Sequence, residues 1–105
     1  MKAVATLFLF VCCPMVSNVY AGYDEDVAAM NKGMPKSVQL FNKRQIDCNH
    51  WSGEEPYDKA RLKEINSAIT ELKCNALNED KNKLLKKYKT RPDVIDAINK
   101  AKEFY

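Results

Sequence analysis

The pair Cys48 and Cys74 constrains this chain more than any other feature, because each partnership open to the two thiols dictates a different molecule. The only other cysteines, Cys12 and Cys13, lie in the opening run MKAVATLFLFVCCPMVSNVYA, which reads as a secretory signal. Lys2 gives it a positive start, Ala3 to Val11 an apolar stretch broken near Pro14, and Val19-Tyr20-Ala21 a small-residue cleavage site, so removal is expected after Ala21. The apolar run is far short of the ~20 residues a membrane anchor needs. Acylation at Cys12 or Cys13 is the lesser alternative, since Val11 is not the small residue that normally precedes a lipidated cysteine.

Removing residues 1–21 takes Lys2, Cys12 and Cys13 from a 105-residue chain with 17 Lys and Arg, leaving 84 residues with 16 Lys and Arg against 14 Asp and Glu. Such a chain is close to neutral, which argues against nucleic acid as a partner. It is also short enough that a single core is marginal and a covalent staple helps. In an oxidising compartment the remaining pair is most simply an intramolecular Cys48–Cys74 disulfide in a monomer. Closing that loop is worth roughly 3–4 kcal/mol in the chain-entropy view. Pairing between two chains, giving a dimer, is the competing arrangement.

Periodicity predicts an all-α fold, a small bundle of three to four short helices over residues 35–105, with residues 22–34 as a flexible acidic leader. The leader opens on Asp24-Glu25-Asp26, carries Gly22 and Gly33, and has little to bury. From Pro35, the residues Val38, Phe41, Gln45, Cys48 and Trp51 fall on one helical face, with Ile46 off it and Gly53 as a left-handed stop. Asp58 is placed to cap a second helix, whose stripe is Leu62, Ile65, Ile69 and Leu72. A third runs from about Asn75 or Asn78 to Lys89, with Glu79 and Asp80 in its first turn and Lys86, Lys87 and Lys89 in its last, the charge order a helix dipole favours. Thr90 and Asp93 form a capping box for a fourth, carrying Val94, Ile95, Ile98, Ala101 and Phe104. A second helix of this length would leave Cys48 and Cys74 at opposite ends of a simple hairpin. The sequence therefore predicts that Asn49–Tyr57 runs back along it as an extended strap.

That strap belongs to CNHWSGEEPYD, Cys48 to Asp58, the stretch richest in chemical groups. A metal site of His50, Glu54 and Asp58 can be drawn there, yet His50 is the only histidine and using Cys48 as a ligand would forfeit the disulfide. The competing reading has His50 bonding the last carbonyls of its helix. Cys48 and His50, two apart on a helix, point in roughly opposite directions, and an oxidised cysteine cannot attack. Glu54 with Asp58 would need a pocket that so small a core cannot line. No Gly-rich phosphate loop, redox Cys-x-x-Cys or Ser/His/Asp set is present. No catalytic residue and no cofactor is implied, and a small hydrolase is the weakest reading. Trp51, the only tryptophan, reads as a core anchor, or alternatively as a surface anchor for a partner. KNKLLKKYKTR, Lys81 to Arg91, holds six basic residues, Lys81, Lys83, Lys86, Lys87, Lys89 and Arg91, and no acid, with Leu84, Leu85 and Tyr88 interleaved. Such an amphipathic basic helix either presents a solvated face or lies on anionic lipid, lipopolysaccharide or an acidic protein.

The pattern Cys48-x-His50-Trp51-x-Gly53-Glu54-Glu55-Pro56-Tyr57-Asp58, followed by Arg61, Ile65, Cys74 and Lys87-Tyr88, resembles a group of small uncharacterised exported proteins of proteobacteria. The similarity covers about Pro35 to Ala101 and implies a periplasmic or secreted bacterial protein, with no catalytic residues to carry over. The expectation is an exported, non-enzymatic module that binds a protein or an anionic envelope component, with the basic helix as first candidate surface and Trp51 as second.

Overall fold

The structure, a computed structural model, describes residues 19–104. The apolar stretch of the signal, with Cys12 and Cys13, lies outside the described residues. Five α-helices are described and no strand: α1 (Val19–Asn31), α2 (Lys36–Gly53), α3 (Lys59–Glu71), α4 (Leu77–Lys87) and α5 (Pro92–Glu103). A 3-10 turn, Cys74–Ala76, leads into α4. The fold is the all-α bundle the periodicity predicts, and a disulfide joins Cys48 to Cys74, the two cysteines among the described residues, with Cα atoms 5.7 Å apart. No helix among the described residues is long and apolar enough to cross a membrane.

α2 is the central element and buries two faces. On one, Val38, Phe41 and Cys48 pack with Leu77, Val94 and Ile98, flanked by Leu72, Leu84, Leu85 and Tyr88. On the other, Ile46 meets Met30 of α1 and Ala97 and Ala101 of α5. Ile46 falls off the sequence stripe because that stripe describes one partner face, whereas α2 has neighbours on two sides. α1 is the reason for the second face. Residues 22–34, expected as a flexible leader, are helical as far as Asn31, and Met30 is buried. Asn42, fully buried in α2, donates to Asn31 Oδ1 at 3.0 Å and ties the end of α1 to α2. Gly33, at φ +75°, makes the turn between the two helices.

The helix ends depart from expectation at two places. Gly53 ends α2 without a left-handed conformation; among the described residues only Gly33 and Lys73 have positive φ. The left-handed residue that ends the α3 region is Lys73, at φ 52°. A side chain there is strained by roughly 1–2 kcal/mol, and the position is held between the disulfide at the next residue and a clamp on the Lys73 carbonyl described below. Thr90 does not cap α5. Pro92 takes the first helical position, which makes Arg91 the N-cap residue, and Asp93 pairs with Arg91 instead of completing a box. Asp58 does cap α3, its Oδ1 accepting from the Arg61 backbone N–H at 2.7 Å.

The extended strap is likewise corrected. Cys48 lies inside α2, and Asn49 to Gly53 continue that helix, so only Glu54–Asp58 is irregular. The helix end supplies the reach the strap was meant to supply. α2 runs about 7.5 Å beyond Cys48 before the chain turns, and α3 then returns along it. Arg61 near the start of α3 stacks on Trp51, and the Leu72 carbonyl just past its end meets Arg44. The sulfurs meet because α3 begins beyond Cys48, not because the connection doubles back.

Candidate functional site

Three polar side chains of α2 each hold the carboxyl end of another helix, and these contacts set the geometry of both candidate surfaces. Arg44 Nε donates to the Leu72 carbonyl at 2.6 Å, Nη2 to the Lys73 carbonyl at 2.7 Å and Nη1 to Asp80 Oδ2 at 2.7 Å. One guanidinium thus caps α3 and pins the first turn of α4. Asn49 Nδ2, steadied by Gln45 Nε2 donating to its Oδ1 at 2.8 Å, points at the carbonyls of Ala101, Lys102 and Phe104 at 2.8–3.2 Å and closes α5. Asn42 holds Asn31. Sequence reading missed Arg44 and Asn49; the one available signal is that Arg44 stands one helical turn from Cys48, on the face that must reach Cys74.

At the carboxyl end of α2 the candidate residues form a linked set. Glu54 Oε1 is 3.3 Å from His50 Nε2, and its Oε2 is 3.3 Å from Arg61 Nη2. Arg61 Nη1 reaches Glu64 Oε2 at 2.8 Å, the guanidinium lies 5.2 Å from the Trp51 ring centroid, and the His50 and Trp51 rings meet edge-on with centroids 5.5 Å apart. The bonds to Glu64 and then Glu54 raise the Arg61 pKa above its ordinary value. His50, expected on the last carbonyls of its helix, pairs with a carboxylate instead. Nor does the structure gather His50, Glu54 and Asp58 into a ligand set: Asp58 is turned to its capping role, Cys48 is in the disulfide, and no group of three or more metal-ligating side chains occurs among the described residues. Trp51 is half-buried, with Arg61 over its ring. The arrangement fastens α3 to α2. Tyr57, in the turn between them, is 82% exposed.

The basic run divides in two. Lys83 sits 3.6 Å from Glu79, and Lys81 is half-buried, on the acidic half of α4. Asp80 there is held below its ordinary carboxylate value, first by the hydrogen bond from Arg44 and also by the charges of Arg44, Lys83 and Lys73. The carboxyl half is different. Leu84, Leu85 and Tyr88 pack against the core, so the apolar side of the amphipathic helix is already used. Lys86, Lys87 and Lys89 are exposed and make no ion pair among the described residues; Lys87 Nζ lies 5.3 Å over the Tyr88 ring. Arg91 is engaged by Asp93 through Nε at 3.2 Å and Nη2 at 2.7 Å.

One contact extends this surface beyond the run itself. Tyr88 Oη is 3.4 Å from Ser37 Oγ, so the carboxyl end of α4 abuts the start of α2. Lys36, exposed in the first turn of α2, and Lys32, exposed in the turn before it, therefore share the end of the molecule that carries Lys87 and Lys89. No protein-family model, curated protein or solved structure matches the chain.

Proposed function

We propose that this protein is an exported, non-enzymatic binding module that holds an anionic component of the cell envelope on the basic surface of α4. Export rests on the tripartite opening segment, on the resemblance of the Cys48–Asp58 pattern to small exported proteobacterial proteins, and on a chain whose two remaining cysteines form one disulfide. The observation that carries the binding role is that Leu84, Leu85 and Tyr88 pack, partly buried, against the core, so that the basic side of α4 is the one that faces solvent. That packing leaves Lys86 and Lys87 exposed on the outer side of α4 with no ion pair among the described residues, and Lys83 exposed beside Glu79. Residues around Trp51 are occupied with one another, which makes that end the weaker candidate.

Charge reversal tests the reading. At low ionic strength the oxidised protein is expected to be captured on beads bearing a sulfated polysaccharide, and K83E/K86E/K87E is expected to lose capture while keeping its helicity and disulfide. Equal capture of the variant removes the proposal.

A further inference from the structure

Resting on that reading, we infer that the docking surface is the whole end of the bundle rather than the side of one helix, and that it takes an anionic phospholipid bilayer end-on. The Tyr88–Ser37 contact joins the first turn of α2, with Lys36, to the end of α4, with Lys86, Lys87 and Lys89, and the α1–α2 turn with Lys32 leads directly into that first turn. Asp93 lies just beyond, and it is bonded to Arg91. Lysines predominate on this surface, its one arginine is engaged by Asp93, and its nearest further acids, Asp24 and Asp47, line a hollow between α1 and α2 that Lys36 borders. Lysine is a flexible point charge without the directed fork that arginine offers to a carboxylate or phosphate. Lysines spread over three segments respond to the density of charge in front of them, as a plane of mobile lipid headgroups presents it, more than to one shaped ligand.

The core decides how that surface meets a membrane. Leu84, Leu85 and Tyr88 are committed to packing, so α4 has no apolar face to insert and docking is electrostatic. Orientation follows from α2. Ser37 marks the basic end, and Trp51 lies fourteen residues further along the same helix, about 21 Å away. With the lysines on the headgroups, Trp51, the only tryptophan, stands clear of the bilayer.

The oxidised full-length mature protein, sedimented with vesicles of mixed phosphatidylglycerol and phosphatidylcholine or of phosphatidylcholine alone, tests this directly. Sedimentation with the anionic vesicles only is expected, with loss at high salt. Each removed lysine is expected to lower partitioning about fivefold, so K32Q/K36Q should weaken it about as much as K86Q/K89Q. Trp51 emission should neither shift nor be quenched by brominated acyl chains. If K32Q/K36Q binds like the parent while K86Q/K89Q does not, the end-on surface is overturned and the α4 reading stands. If Trp51 shifts and is quenched, the orientation is wrong. Capture on the sulfated beads without vesicle binding overturns the lipid partner alone; failure of both overturns the functional reading as well.

Discussion

Arg44 shows what a single residue does in this fold. Its three donors satisfy the two carbonyls at the end of α3 and one carboxylate of α4. Arg44→Ala is expected to cost about 2 kcal/mol from the carbonyl bonds alone, read as a lower denaturant midpoint with unchanged slope. The same contact predicts a pH dependence. Asp80 is held below its ordinary value of 3.8, so its contribution is complete above that value and disappears as pH falls through the lower, folded value. The stability advantage of the parent over Asp80→Asn should therefore be constant near neutrality and close in acid, and should be smaller, with only the charges of Lys83 and Lys73 left to support it, when both proteins carry Arg44→Ala. Asp58 was legible from sequence because a cap and its helix are neighbours in the chain. Arg44 was not, since its carbonyl partners lie 28 and 29 residues away and belong to the backbone, which leaves no mark on residue type. Thr90 misled because Thr-x-x-Asp fits a capping box, while Pro92, two residues on, moves the start of the helix.

Among the helices, α3 is thinly embedded. Ile65 is its only fully buried residue, and Leu62, expected in the apolar stripe, is 44% exposed. Its attachment is concentrated at the two ends, at Arg61 with Glu54 and Trp51, and at Arg44 with the disulfide. The double substitution of Cys48 and Cys74 by alanine should cost about 3–4 kcal/mol, and the loss should be unevenly distributed. Amide exchange is expected to quicken first along α3, while α2 and α5, joined through Val94, Ala97, Ile98 and Ala101, retain protection. Uniform acceleration across all helices would contradict this. Helix positions after Pro35 could be read from periodicity because 3.6-residue spacing records the buried face directly. α1 could not, since three consecutive acids and two glycines hide the residues, Met30 and Val27, that pack into the core.

At the scale of the molecule, α2 separates two ends of different character. One gathers lysines from three segments, and the other is a mesh of paired charges around Trp51. The candidate surface was half legible: a run such as Lys81–Arg91 is conspicuous, but Lys32 and Lys36 join it only through a tertiary contact 51 residues apart. The buried sulfur of Cys48, 1% exposed, carries a further implication for how the molecule is made. Once the core has closed, an oxidant or an alkylating reagent can reach that thiol only by reopening it. Refolding of reduced chain with oxidised glutathione as the oxidant and a maleimide present should accordingly label Cys48 only in molecules whose core has not closed. Redox chemistry on the closed molecule then has a direction imposed by access: it enters and leaves by way of Cys74, the less covered sulfur, with Cys48 reacting from inside.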